Sequence, residues 1–526
     1  MSSKIPRIVI FVQRHSCGFI TVCGDGALGL LHDPKTTRLD SVIDPAVGPP
    51  YQRYKIVAEP APPRKKLPSP FDPRVSKIGL ARILLKETLG YGLKLRKKEY
   101  RRVLVSRPCI YGTFSGPLGG FHPIKEKCTG CMRCVQEYPG VCSVDRNPEF
   151  YQFADSYWAS EGAATTSGSP VATVLYEAET GKILIKGMGY KGPFAGPGWD
   201  SIWTDMSEIV RPTRDGVYGR EFISTTVDVG RKTKSLQFDQ ERGQFSKTIE
   251  VSLPIIFDSL PANLNSHSIL ESVAGASLRT GTIFIATPTQ AKQLRAVNHD
   301  QLVPLISTDK LSDTIGGIRD APMIELASYD SSIVQEVQNV NPTAPISVRL
   351  LLTVDSAKTA TDLVRKGIGV IHLVANYHGQ SWDEGEPTHV KDLIRKVHTT
   401  LVTESLRDDV TLIASGGITR AEHVPKAIMC GADLVAIDTT VLVALQSRFL
   451  GECASPESGH IAAENFSSNW GEQRLVNLLS SWHDQLIEIL SAMGIRDVRR
   501  LRGDVGRAMF NEELEKEAFA DIARRN

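Results

Sequence analysis

The sequence predicts an α/β protein built on a closed (β/α)8 TIM barrel, with a small cysteine-rich segment ahead of it. Three observations carry that expectation. The stretch Val410–Thr440 reads VTLIASGGITRAEHVPKAIMCGADLVAIDTT: an apolar run, a Ser415-Gly416-Gly417 corner, a helical segment and a second apolar run, which is one βαβ unit. Six further short apolar runs precede it, and helix-like segments fill most of the gaps between them. Adjacent glycines at a strand's C-terminal end let backbone N–H groups approach an anion. In barrels of this class the loops after strands 7 and 8 form the usual phosphate site.

The eight runs are Leu253–Phe257, Thr282–Ala286, Leu302–Ile306, Pro322–Ala327, Ile346–Leu352, Val370–Val374, Val410–Ala414 and Leu434–Ile437. Each is too continuously apolar for a strand with one wet face, as a parallel sheet covered by helices requires. Helical patterns occupy Ser266–Leu278, Thr289–Val297, Ser331–Val340, Ser356–Lys366, His389–Ser405 and Arg420–Cys430. The gap Ser307–Asp320, with Gly316-Gly317, has the weakest pattern. At about 190 residues the barrel is compact against the usual span of about 250; a doubly wound open sheet is the structural alternative.

The 526 residues suit several domains with ample core. A net charge of +2 argues neither for nucleic acid nor for a strongly acidic partner. No apolar run reaches the length of a membrane span, and the opening MSSKIPRIVIFVQRHSC lacks a signal-peptide layout. Nine cysteines without a regular pairing framework suit a reducing cytoplasm.

In chain order, Arg7–Cys23 reads as one or two strands and Pro45–Pro73 as a proline- and lysine-rich linker. Val75–Arg102 reads as a basic helix, either packed on a domain or docking to an acidic partner or membrane surface. The most specific chemistry follows: Cys128-Thr-Gly-Cys131-Met-Arg-Cys134, with Tyr138-Pro139 and Cys142 beyond. A C-x2-C-x2-C loop points three thiolates inward around a corner of an iron–sulfur cubane, as in bacterial ferredoxins. Tyr138 stands where the ferredoxin run has its fourth cysteine, so that ligand must come from elsewhere. Cys142 is the nearest candidate and Cys109 the second; without either, a 3Fe–4S cluster replaces the 4Fe–4S form. A structural zinc site is the alternative, but such sites usually pair two separated C-x2-C arms.

Between cluster and barrel, Ala163–Ser169 reads as a loop, and Ala172–Tyr176 with Lys182–Ile185 as a β-hairpin. A Gly/Pro-rich connector follows, whose Arg211, Arg214, Arg220, Arg231 and Lys232 either stay on the outside or reach over the barrel mouth. A hairpin at Ser235–Ile249 leads into the first barrel strand. Beyond the barrel, Trp470–Leu501 reads as an amphipathic helix with Leu475, Leu478, Leu479, Trp482, Leu486, Ile489 and Leu490 on its apolar face. The domain organisation expected is thus an N-terminal α+β region (1–105), a ferredoxin-like iron–sulfur segment (106–160), a connector with hairpins (161–250), the barrel (251–455) and a C-terminal helical extension (456–526).

The cysteine loop, the Ser-Gly-Gly corner and the ending SAMGIRDVRRLRGDVGRAM together resemble the FMN-binding domain of glutamate synthase, especially its short archaeal-type and related forms. The resemblance covers roughly Leu253–Met509. It implies FMN at the barrel mouth, with Ser415, Gly416 and Gly417 holding the phosphate and Thr439 and Thr440 contributing from the next loop. It implies a cluster on Cys128, Cys131, Cys134 and Cys142. It also implies electrons passed from the cluster through FMN to a small imino or oxo acid, in the family 2-oxoglutarate plus ammonia giving glutamate. Ferredoxin or another redox subunit would be the donor, and a separate subunit would supply ammonia.

The chain departs from that family at its substrate end. Ala286-Thr287-Pro288-Thr289 replaces an Asn-Thr-Gly-Glu-Gly-Gly turn, Arg349 a lysine, and Asn376-Tyr377-His378-Gly379-Gln380 a Gly-His-Asp-Gly-Gly-Thr-Gly segment. The cysteine cluster after strand 8 is reduced to Cys453, and residue 2 is Ser rather than a catalytic cysteine. Three side chains remain as catalytic candidates. Arg349 would neutralise a carboxylate or the reduced flavin, His378 would donate a proton, and Asp438 would orient it or anchor the ribityl chain. The plainer alternatives are a pair between Arg349 and Glu325, an exposed His378, and Asp438 as a helix cap. An electron-transfer or assembly subunit with a degenerate barrel is the alternative function.

Overall fold

The computed structural model describes residues 9–12, 20–23, 56–64, 68–79, 109, 111–115, 122–128, 130–150, 170–183, 198–204, 223–231, 248–261, 264, 267–294, 301–307, 318–450, 460–504 and 508–510. They fall into two compact units, one of residues 1–61, 174–447 and 451–526, the other of residues 62–173 and 448–450.

The first unit is built on a closed barrel of eight strands: β1 (Ile255–Phe257), β2 (Phe284–Ala286), β3 (Leu302–Ile306), β4 (Ile324–Leu326), β5 (Ile346–Leu351), β6 (Val370–Val374), β7 (Thr411–Ser415) and β8 (Leu434–Ile437). Every strand pairs in parallel with its sequence neighbour, and β8 closes on β1 through Val435↔Ile255, Ala436↔Ile256 and Ile437↔Phe257. Closure rules out the open doubly wound sheet. The strands are short because both faces are covered: β1, β2, β4, β7 and β8 are buried at every position, which is why their sequences read as unbroken apolar runs.

Helices His267–Thr280, Ser331–Val340, Ser356–Arg365, Val390–Thr403 and His423–Cys430 pack outside. Their starts follow ordinary capping chemistry; Asp330 accepts from Ser332 N, and His389 from Lys391 N. After β2 the expected long helix is a single turn, Pro288–Ala291, closed by a capping box between Thr287 and Gln290. Residues 308–317, in the weakest gap, lie outside those described. Strands Val227–Gly230 and Thr248–Val251 pair antiparallel. Gly230 exchanges hydrogen bonds with the Thr411 hydroxyl at the start of β7, so this hairpin covers the N-terminal end of the barrel. Arg231 accordingly lies against Gly367 and Gly369, just before β6 and opposite the mouth; Arg211, Arg214, Arg220 and Lys232 are outside the described residues.

The helix Ser468–Ala492 buries the apolar face expected of it, with Leu475, Leu478, Leu479, Trp482, Leu486 and Leu490 all fully buried. It also carries polar struts. Arg474, fully buried, donates to the carbonyls of Ala444, Ala61 and Leu175, and Asn477 to those of Glu59, Ala178 and Glu179. Two expectations are corrected here. The segment expected as a hairpin is the helix Pro170–Thr180. Its β-branched residues suggested strands, but Val171, Val174, Leu175 and Ala178 recur at helical spacing and are buried. Trp482 donates to Glu177 within that helix. Likewise residues 56–61 of the expected linker are pinned, Glu59 N bonding Asn477 and Ala61 N bonding Glu179 O.

At the N-terminus, Val9–Val12 and Ile20–Cys23 form an antiparallel pair. Of the basic segment Val75–Arg102, the described part is helical at residues 77–79. In the second unit, Phe71–Val75 pairs antiparallel with Cys142–Arg146. A 3-10 turn at Lys125–Lys127 and a short helix Arg133–Glu137 carry the cysteine loop. Phe114, Cys134, Val141, Cys142 and Val144 form its core. No helix among the described residues is long and apolar enough to cross a membrane.

Candidate functional site

The barrel mouth lies at the C-terminal ends of the strands, and the Ser415-Gly416-Gly417 corner stands there after β7. Both glycines have left-handed φ, +91° and +68°. A Cβ on Gly416 would lie 2.5 Å from Ala375 O, and one on Gly417 2.5 Å from Gly379 Cα. Glycine is therefore required where the loops after β6 and β7 touch. The amides of Gly416, Gly417 and Ile418 donate to no protein group among the described residues. The hydroxyl of Thr439, at the end of β8, is buried beside the Asp438 carboxyl and makes no well-aligned hydrogen bond. Three successive free N–H groups, with that hydroxyl on the next loop, make a fitting cradle for a phosphate.

The other expected phosphate ligands are engaged. Ser415 Oγ lies 3.0 Å from His372 Nε2. Thr440 Oγ1 donates to Ile418 O at 2.8 Å and ties the two loops together. On the carbonyl side of the corner, Trp199 donates its indole N–H to Gly417 O, with Lys426 Nζ donating to Trp199 O. His423 stacks on Trp199 at 5.6 Å between ring centroids. Burial first, then the charges of Arg420 and Lys426, hold that imidazole well below its ordinary pKa, so it is neutral.

Beneath the mouth lies a buried charge cluster contributed by residues within or just after five different strands. Arg349, on β5, pairs through Nε with Glu325 on β4 and through Nη2 with Asp258 just after β1. His372, on β6, places Nδ1 3.1 Å from Glu325 Oε1 and Nε2 3.7 Å from Asp258 Oδ2. Burial works to raise the Asp258 and Glu325 pKa values, but Arg349 and His372 outweigh it and hold both carboxyls below their usual range. Asp438, following β8, has no such partner. Burial, then the negative charge of Asp258, pushes it up to about 7. Its carboxylate caps the helix Thr439–Ala444 by accepting from Thr439 N.

Of the three expected catalytic side chains, Arg349 and Asp438 meet at this cluster. His378 sits half-buried on the loop beside Gly417, its own amide bonded to Asn376 Oδ1 at 3.0 Å. Asp258 and His372 went unpicked in the sequence. Their only signal is a polar residue inside or ending an otherwise apolar strand. Oxygen and nitrogen atoms of Asp258, Glu325 and His372 lie within 4.8 Å of one another, close enough to hold a cation. The Arg349 guanidinium already supplies positive charge to both carboxylates, and a divalent ion would have to displace it.

In the second unit, Cys109, Cys128, Cys131 and Cys134 line one cavity with Pro73, Tyr111, Thr113, Phe114, Met132 and Val144. The loop is held in an uncommon conformation. Gly130 (φ +71°) and Met132 (φ +58°) are both left-handed, and a Cβ on Gly130 would collide with the Phe71 ring. Burial pushes the Cys128 thiol up to about 11. Cys142 is hydrogen-bonded to Cys134, which lowers Cys134 to about 7 and raises Cys142. Cys453 is outside the described residues.

Residues 321–496 match the family described as the conserved region in glutamate synthase. Among curated proteins, the archaeal-type glutamate synthase (NADPH) of Dehalococcoides mccartyi is 23% identical over 446 residues, covering 72% of this chain and 86% of that one. The archaeal glutamate synthase (NADPH) of Archaeoglobus fulgidus is 23% identical over 449 residues, 72% of this chain and 85% of its own. Among solved structures, the recombinant flavin-binding domain of baker's yeast flavocytochrome b2 overlays at a TM-score of 0.36 with 12% identity, covering 54% of this chain and 73% of that one. These matches make the chain similar to glutamate synthases and support a redox-active enzyme.

Proposed function

We propose that the chain binds FMN at the barrel mouth and an iron–sulfur cluster on its cysteine loop, and uses them to reduce a small imino or oxo acid. The observation that carries this is the run of free amides at Gly416–Ile418, with the Thr439 hydroxyl on the loop that Thr440 ties to Ile418, at the barrel position where a flavin phosphate is expected. When bound, FMN supplies a two-electron carrier and the cluster a one-electron donor. Reduction of a C=N double bond takes two electrons and two protons, and the chain's own residues must bind the acid and deliver the protons. Arg349 keeps Nη1 free of protein partners among the described residues while Asp258 and Glu325 fix the rest of its guanidinium, which suits it to a substrate carboxylate. Asp438, titrating near neutrality, can hold a proton at its carboxyl oxygen, and His378 on the adjacent loop is the second candidate donor.

The relatives are named glutamate synthases (NADPH), and 2-oxoglutarate with ammonia is the first substrate pair to try. Ferredoxin, another redox subunit or NADPH would supply the electrons, and a separate subunit the ammonia. The test is anaerobic purification with cofactor extraction, then turnover of 2-oxoglutarate and ammonium with reduced ferredoxin or NADPH. Released FMN and glutamate formation support the proposal. A protein that takes up no FMN on reconstitution refutes it. Iron–sulfur absorbance without FMN would favour an electron-transfer or assembly subunit, a reading that the double neutralisation of Arg349 supports.

A further inference from the structure

The ligand set of the proposed cluster is the question the cysteine loop leaves open, since C-x2-C-x2-C supplies three thiolates and a cubane needs four. We infer that Cys109, and not Cys142, is the fourth ligand. The inference rests on the iron–sulfur reading above and extends it to a residue 19 positions upstream of Cys128. Cys109 lines the same cavity as Cys128, Cys131 and Cys134; Cys142 does not.

The chain pins Cys109 there. Gly112, with φ +79°, closes a turn in which its amide donates to Cys109 O, and Cys109 Sγ bonds Thr113 Oγ1 at 3.2 Å. Thr113 O in turn accepts from Ile124 N at 2.7 Å. The Cys109 turn is thereby tied to the segment that runs through Lys125–Lys127 into Cys128. Cys142 is placed otherwise. It opens the strand Cys142–Arg146, pairs with Val75, donates its amide to Tyr138 O and is 4% exposed within the apolar core. Val144, its neighbour on the same face of the strand, reaches the cavity wall. The Cys142 thiol hydrogen-bonds Cys134 but does not line the cavity that Cys109 shares with the loop.

The spacing of the sulfurs also selects the kind of metal centre. A tetrahedral zinc site with Zn–S of about 2.3 Å holds its sulfurs about 3.8 Å apart. Among the described residues no three cysteine sulfurs lie within 4.8 Å of one another, whereas a carboxylate–imidazole trio in the barrel does. Four thiols ring a void instead of converging on a point, which suits a cage of several irons. Cys109, Cys128, Cys131 and Cys134 would each hold one iron as the thiolate, with ferrous and ferric iron in equal share and inorganic sulfide completing the cage.

The test compares full-length wild type with Cys109→Ala, Cys109→Ser and Cys142→Ala after anaerobic reconstitution with equal amounts of ferrous and ferric iron and sulfide. Iron, sulfide and electron paramagnetic resonance are measured before and after brief oxidation. Wild type and Cys142→Ala are expected to keep about four irons per chain, while Cys109→Ala falls to about three on oxidation and shows a three-iron signal. Cys109→Ser, which keeps the side chain's size, guards against a folding artefact and should differ from wild type in its reduced spectrum. Four oxidation-resistant irons in both Cys109 variants, or a three-iron signal in Cys142→Ala, overturns the inference. Wild type that takes up no iron overturns the cluster reading itself, a distinct result.

Discussion

Asp438→Asn asks whether the proton at the barrel mouth is real. The carboxyl is raised from 3.8 to about 7 because burial and the charge of Asp258 both oppose its ionisation. In the folded protein it stays protonated through a range where the unfolded chain has already released its proton. Folding therefore binds a proton between those two values, and stability from this group is full below about pH 4 and lost as pH rises towards 7. The interval between 3.8 and about 7, at about 1.4 kcal/mol per pH unit, is worth about 4 kcal/mol at most, and solvent reaching the half-buried residue trims it.

Asparagine keeps the helix cap, since its amide oxygen can accept from Thr439 N as Asp438 does, but it cannot ionise. The assay is urea unfolding of wild type and variant at closely spaced pH values from 4 to 8.5, taken as the difference in unfolding free energy. That difference should be small near pH 4 and should shift steadily in favour of the variant until about pH 7, by several kcal/mol. Above pH 7.5 or so it should be flat, because Asp438 is ionised in both states. A difference that does not move between pH 4 and 8 would refute the reasoning and leave Asp438 an ordinary helix cap.

Four further outcomes follow from contacts already described. Thr439→Val removes a hydroxyl with no well-aligned protein partner, so thermal stability should hold while FMN affinity, read by quenching of flavin fluorescence, falls about tenfold for the loss of one bond to a charged group. Thr440→Val should do the reverse, losing about 1 kcal/mol in urea unfolding with the bond to Ile418 O and little affinity. Arg349→Met strands Asp258 and Glu325 without their guanidinium and should cost about 3–5 kcal/mol in urea unfolding; adding Glu325→Gln should recover part of it. Gly417→Ala, at φ +68° with Gly379 backbone 2.5 Å from the new carbon, should lower the melting temperature with or without ligand. If these four behaved alike, the division between binding and structural roles at the mouth would be wrong.

The barrel was legible because its parallel strands are buried on both faces. Leu302–Ile306, Val370–Val374 and Leu434–Ile437 have the boundaries their apolar runs suggest, the seventh strand is shifted by one residue to Thr411–Ser415, and the others are trimmed at their ends. Helices with strong periodicity behaved the same way, Ser331–Val340 being one. Pro170–Thr180 was not legible, since β-branched residues favour strands until a neighbouring helix offers Arg474, Asn477 and Trp482 to it. The phosphate corner could be found from two glycines, but sequence could not tell Thr439 from Thr440. Only coordinates reveal that one hydroxyl is spent on Ile418 O and the other is spare.

The charge cluster was the least legible part, and its composition explains the proton that Asp438 holds. Residues 258, 325, 349, 372 and 438 come from five strands, so no local window contains more than one of them. Two carboxylates sit on one guanidinium and are kept ionised by it. A third carboxyl placed beside Asp258 gains only a weak pull from Arg349, too little to offset burial and the charge of Asp258, so ionising it is unfavourable. Protonation is the cheaper state. Lysine at position 349 would present a single point charge in place of a two-sided fork, and could not grip Glu325 and Asp258 through separate nitrogens as the guanidinium does. Arginine at that position thus fixes two carboxylates as anions and leaves the third as the group near the mouth that changes its proton around neutral pH.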